Sequence, residues 1–296
     1  SRPRRAQTGV IEDMKTRRAI LLAAVCLIVC PAPAAEALRE VPVAQALQRR
    51  FPEEVIFATY VKDGQPGVIA LGNRTFCEVV AIPKASAAHD AIAASKEFTI
   101  CLPGENMKAE ALWLLTNPGK PAEAFAQLKL QTQPGQRISA PVLSGGIVSY
   151  ECKVTRSLDA GDSTVFLADG VYTHRSQVQA RRLYITGYGD DGQPVLAGQD
   201  AAQPPPAPRG HEKYPEQIVM VVSQDAEGKP NVMPAGWTMR VSDDPPMVAV
   251  AIGRFNYTNR LVNAGKEFVY CYVGPDMREE VVYCGTETGR RVDKFA

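Results

Sequence analysis

Downstream of residue 50 the chain alternates short apolar runs with turn residues, a pattern that predicts a mainly β protein with short helices. Asp63-Gly64 and Glu227-Gly228 each separate two strand-like runs and read as hairpin turns. Helical spacing is predicted over residues 108–115 and 121–129, followed by the short apolar segment Ala140-Pro141-Val142-Leu143. Strands are predicted at 147–154, 164–171 and 182–186, the first two joined by the turn Gly161-Asp162-Ser163-Thr164.

The stretch from Asn231 to Arg260 concentrates the candidate chemistry. A strand ending near Met233 is predicted to give way at Gly236 to a loop carrying Trp237, Thr238, Met239, Val241 and Ser242. Asp243-Asp244-Pro245-Pro246 then turns the chain into an apolar strand over 247–252. Gly253 breaks that strand, and Arg254, Asn256, Tyr257 and Thr258 lead into a helix bearing Leu261 and Val262. Free N–H groups and the positive dipole end make a helix start an anion site, to which Arg254 and the Thr258 hydroxyl add contacts. Upstream, Gly236 lets backbone approach a flat ring and Trp237 offers an aromatic wall. Together the two parts suit a planar aromatic phosphate. Taken singly, each residue has a plainer reading as a turn, a helix cap or an ordinary aromatic.

The segments GWTMRVSDDPP, VAVAIGRFNYTN and KEFV resemble the flavin reductase-like family. The resemblance implies an antiparallel Greek-key FMN-binding split barrel. It also implies that Gly236, Trp237, Thr238, Met239, Val241 and Ser242 lie along the isoalloxazine. Arg254, Asn256, Tyr257 and Thr258 would then hold the phosphate, and His174, just after a strand, would lie near the flavin. The activity implied is NAD(P)H-dependent flavin reduction, with NADPH or NADH as co-substrate and a small-molecule electron acceptor. A non-enzymatic FMN-binding or electron-carrier protein is the alternative. Family members usually pair, so a homodimer or an intrachain pseudo-dimer is expected, with the first copy as structural partner in the latter case.

Two tandem copies are read from the chain itself. A shift of 170 residues carries Lys96, Glu97, Phe98, Cys101, Gly104, Met107 and Glu110 onto Lys266, Glu267, Phe268, Cys271, Gly274, Met277 and Glu280. Further upstream the shift is 164, pairing Pro66 with Pro230 and Gly72 with Gly236, so the first copy lacks six residues. Asn73-Arg74-Thr75-Phe76-Cys77-Glu78 stands where the second copy has the ring loop. Lys84 replaces Arg254, Ser86 replaces Asn256, and Ala87 and Ala88 replace Tyr257 and Thr258, so the first copy is expected to bind FMN weakly or not at all. The expected domains are 41–198 and 213–296, joined by a Pro-rich linker over 199–212. The second copy reads as the N-terminal half of a domain whose barrel lacks its own closing strands, an aggregation risk.

The remaining features narrow these readings. The 296 residues, 45% apolar and 22% charged, suffice for two packed domains, and a formal net charge of +1 gives no reason to expect nucleic acid. Residues 1–13 read as sequence from upstream of a start at Met14, and 14–35 as a signal peptide, with Arg17-Arg18 fitting a twin-arginine route. An exported, periplasmic protein is therefore expected. Cys77, Cys101, Cys152, Cys271 and Cys284 show no CxxC spacing and read as mostly buried apolar positions rather than metal ligands. Gly187-Tyr188-Gly189-Asp190-Asp191-Gly192 matches GxGxxG but is followed by Gln193-Pro194 and not a helix, so it is no dinucleotide site.

Overall fold

The structure, a computed structural model, describes residues 52–76, 78–199 and 217–296. The expected leader and most of the expected linker lie outside the described residues. All the ladders are antiparallel, in keeping with the mainly β split-barrel expectation. The N-terminal half runs β1 (Glu53–Lys62), β2 (Gln65–Gly72), β3 (Thr75–Phe76), β4 (Val79–Pro83), helix α1 (Ala87–Ser95) and β5 (Glu97–Leu102). Helices α2 (Lys108–Thr116) and α3 (Pro121–Leu128) follow, then β6 (Thr132–Gln133), β7 (Val142–Leu143), β8 (Val148–Ala160), β9 (Ser163–Arg175), β10 (Arg182–Tyr188) and β11 (Pro194–Gln199).

One sheet carries the order β11-β10-β1-β5-β8-β9-β4-β3, with β2 on the free edge of β1. Along its other edge β1 pairs first with β10, at Glu53 and Glu54, and then with β5, at Phe57 to Thr59. This change of partner lets the sheet wrap instead of lying flat. Two apolar cores result. Ile56, Tyr60, Ile82, Ile92, Phe98 and Phe166 fill one under α1, while Phe57, Val68, Leu114, Leu183 and Ile185 fill the other under α2 and α3. Each fully buried side chain of this kind contributes about 1.5–3 kcal/mol. The glycine-rich stretch rejected as a dinucleotide motif covers the end of β10 and the turn to β11, whose pairing with β10 extends the sheet up to the expected linker.

The C-terminal half runs β12 (Val219–Gln224), β13 (Pro230–Ala235), β14 (Thr238–Asp243), β15 (Pro246–Val250), helix α4 (Tyr257–Gly265), β16 (Val269–Tyr272) and helix α5 (Arg278–Thr286). Here β12 pairs with β13 and β16, as β1 pairs with β2 and β5. Local geometry recurs as well: α1 and α4 are each followed by a left-handed lysine, Lys96 at φ 60° and Lys266 at φ 59°. Unlike β5, which continues into β8, β16 ends its three-stranded sheet, with no further strand partner among the described residues.

Residues 236–242 differ from expectation. Only Gly236 and Trp237 form a turn; from Thr238 the segment is strand β14, paired with β15. Thr238, Arg240 and Ser242 alternate with Met239 and Val241, and that period of two prevails over the turn-forming residues. Met239 and Val241 are 0% and 3% exposed, packed against Ala81, Ala160 and Val165 of the N-terminal half.

Candidate functional site

Helix α4 starts at Tyr257 because Gly253 ends the preceding apolar run and Asn256 takes extended backbone angles, φ −69° and ψ 142°, at the N-cap. The Asn256 side chain makes no capping hydrogen bond to the helix. Its Nδ2 instead lies 3.9 Å from the Met233 sulfur, so the first-turn N–H groups are not used up by this side chain. Below it, Thr258 is 2% exposed and its Oγ1 accepts from Asn231 Nδ2 at 2.8 Å. Asn231 is buried too, and its Oδ1 has no hydrogen-bond partner.

This helix start opens on a groove of about 640 Å³. Met233, Pro234 and Phe255 supply apolar surface, while Asn231, Asn256, Tyr257 and Thr258 supply polar contacts and an aromatic ring. The segment after α5 forms the opposite wall with Arg290, Arg291 and Lys294, against a single lining carboxylate, Glu287. The Arg290 guanidinium sits over the Tyr257 ring, 5.5 Å from its centroid. Lys294 Nζ donates to the carbonyls of Val232 at 2.8 Å and Cys284 at 2.7 Å, fastening the segment to β13 and the end of α5. Gly289 crosses so near Asn231 that a Cβ there would meet Oδ1 at 2.0 Å. Cationic wall, helix dipole and open N–H groups all favour an anion with a flat apolar body.

The structure brings Asn256, Tyr257 and Thr258 into this groove but not the other sequence-predicted residues. Arg254 is exposed in the preceding turn and does not line it. Gly236 and Trp237 form the β13–β14 turn, with Trp237 54% exposed. Thr238 Oγ1 is 2.7 Å from the Tyr270 hydroxyl, and the buried Ser242 Oγ accepts from the Asp162 N–H at 3.2 Å. With Met239 and Val241, these side chains are engaged within the protein. Sequence reasoning missed Arg290, Arg291 and Lys294; three cations within five residues were the available signal.

His174 belongs to another groove, of about 540 Å³, beside Ser144, Ser149, Tyr172 and Thr173. Its Nε2 is 2.6 Å from Oε1 of the buried Glu151, and the Tyr172 ring lies 4.8 Å away. Burial alone pushes the Glu151 carboxyl up. The Gln136 N–H, His174 and the Arg137 N–H outweigh that and hold it below the usual carboxylate range. Free Cys101, Cys152 and Cys284 are buried, as expected, whereas Cys271 is half-buried. Burial pushes Cys101 up to about 11 and Cys152 up to about 12, so both are neutral thiols at neutral pH. Among the described residues no cluster of His, Cys, Asp and Glu could hold a metal ion.

A family model described as flavin reductase like domain matches residues 50–189 and 211–296. An uncharacterized protein of Archaeoglobus fulgidus is 35% identical over 82 residues, 28% of this chain and 45% of that protein. One of Pyrococcus abyssi is 37% identical over 76 residues, 26% of this chain and 44% of that protein. Each alignment thus spans less than half of the curated relative. Among solved structures, an NADH:FAD oxidoreductase of Streptomyces globisporus aligns at a TM-score of 0.44 and 19% identity, over 51% of this chain and 94% of that one.

Proposed function

Because the chain belongs to the flavin reductase-like family, we propose that it binds FMN at the start of α4 and serves as an NAD(P)H-dependent flavin reductase. The observation that carries this reading is the helix start left open by Asn256, facing Arg290, Arg291 and Lys294 across one groove. The first-turn N–H groups, Arg290 and Arg291 hold the phosphate, with Lys294 fastening the segment that carries them. Tyr257, Met233 and Pro234 flank the ring system. A bound flavin supplies a hydride acceptor at N5, so the chain need only bind, orient and exclude water. NADH or NADPH donates the hydride, and a small molecule takes the electrons onward. The packing of β14 against the N-terminal half within one chain supports the intrachain pseudo-dimer.

Binding without turnover, as in an electron carrier, is favoured by one observation: Met239, Val241 and Ser242 are engaged in internal packing and hydrogen bonding. Visible spectra of the purified chain, loaded with FMN and then given NADH or NADPH, separate the readings. Yellow that bleaches supports the reductase, stable yellow supports the carrier, and failure to retain FMN overturns both.

A further inference from the structure

The hairpin β14–β15 belongs to the C-terminal half by sequence, where Val250 packs against Val219, Val221 and Ala235 and Thr238 meets Tyr270, yet Met239 and Val241 of β14 pack into the N-terminal half. Three kinds of contact join it there. The Arg240 N–H donates to the Asn73 carbonyl at 3.0 Å, a backbone link between halves. Met239 and Val241 complete an apolar cluster whose other buried members, Ala81, Ala160 and Val165, come from β4, β8 and β9. Arg74, 6% exposed, donates to Ser163 Oγ at 3.0 Å, to the Val241 carbonyl at 3.4 Å and to Asp243 Oδ2 at 2.5 Å.

The turn between β8 and β9 answers in kind. Asp162 Oδ2 accepts the N–H groups of Asp243 at 3.1 Å and Asp244 at 3.2 Å, while the Asp162 N–H donates to Ser242 Oγ. Gly161, at φ +59°, lets the turns meet; a Cβ there would lie 2.5 Å from Ser242 Oγ and 2.9 Å from the Asp244 carbonyl oxygen. Asn73 and Arg74 fall in the segment where the first half is six residues shorter than the second. In that half β3 is only Thr75–Phe76, whereas β14 spans Thr238–Asp243. The shortened element and the strand packed beside it coincide.

We infer that the N-terminal half is a strand acceptor for β14, and that Arg74 and Asp162 are positioning residues fixing β14 and, through the Gly236–Trp237 turn, the Met233–Pro234 side of the groove. The consequence for flavin binding rests on the function proposed above; the strand acceptance does not. Loss of the buried Arg74 guanidinium takes the donor from Ser163 Oγ and from the buried Val241 carbonyl, which destabilises the contact.

The test uses the full chain with Trp113→Phe, which leaves Trp237 as the only tryptophan. Amide hydrogen exchange is followed over residues 238–243, and FMN binding by quenching of Trp237 emission. Arg74→Met is expected to speed exchange in 238–243 about tenfold or more, with α2 and α3 protected as before, and Arg74→Lys to recover part of the protection. FMN affinity falls in Arg74→Met and not in the control Lys84→Met. Unchanged exchange over 238–243 overturns strand acceptance. Faster exchange with unchanged FMN affinity overturns the positioning role alone. If the unsubstituted chain retains no FMN, the flavin reading fails while the exchange data still decide strand acceptance. Should Arg74→Met lose protection throughout, Asp162→Asn is read by the same criterion.

Discussion

Two helices begin at corresponding points of the two halves with nearly the same backbone and no side-chain cap, yet the charge beside one is already engaged and the other borders a groove. Ser86 precedes α1 at φ −84° and ψ 146°; Asn256 precedes α4 at φ −69° and ψ 142°. Around α1, Lys84 Nζ is held by Asp159 Oδ2 at 2.9 Å and the Gly161 carbonyl at 2.7 Å, and Ser86 Oγ donates to the Pro83 carbonyl at 2.8 Å. Around α4, the facing cations Arg290 and Arg291 come from a distant segment and border a groove. Backbone shape alone therefore does not decide which of the two starts suits an anion. What matters is whether nearby charges are already satisfied by the protein's own groups.

The contact between the halves offers the most drastic way to break this contrast. Met239→Ala removes a fully buried side chain and is expected to cost about 2–5 kcal/mol in denaturant unfolding, whereas Met247→Ala on the exposed strand of the same hairpin stays within about 0.5 kcal/mol. Next in size, Arg290→Ala combined with Arg291→Ala is expected to weaken FMN binding about 10- to 100-fold by fluorescence titration. An undiminished affinity would remove the cationic wall from the site.

Acid sharpens the comparison more gently. Burial raises the Asp162 carboxyl, but the Ser163 hydroxyl, the Asp243 and Asp244 N–H groups and the Ser242 hydroxyl together pull it below the usual range. Its stabilisation is fully present above the unfolded value of about 3.9 and is lost as pH falls through the lower folded value. Exchange protection of residues 238–243 should therefore hold near neutrality and decline below about pH 4. The smallest effect is expected from Lys84→Ala: no measurable change in FMN affinity, because that ammonium serves Asp159 and Gly161.

Much of the fold was legible because its signals are local. The helix expected over 108–115 is found at Lys108–Thr116, and that over 121–129 at Pro121–Leu128. The strands on either side of Gly161 were foreseen, although β8 and β9 run several residues further, since a long exposed hairpin carries polar side chains that mask its period. The loop assigned to 236–242 went wrong where a turn-rich composition outweighed the alternation of Met239 and Val241. At the candidate site, Asn256, Tyr257 and Thr258 were readable from the helix start. Arg290, Arg291 and Lys294 were not, because a basic cluster after a helix looks like solvated surface until the chain path folds it back over β13. Arg254 shows the converse: adjacent in sequence, it is exposed and does not line the groove it was expected to serve.

The strand that crosses from one half to the other also constrains how the two can drift apart. Normally a second module frees the first to accumulate change, but here a replacement at Arg74 removes a donor to Val241 and Asp243, and a side chain added at Gly161 collides with Ser242. Shuffling either half alone into a foreign chain would strip away a contributor to the other's interior. The interior around Ala81, Ala160 and Val165 is thus a joint property of both halves.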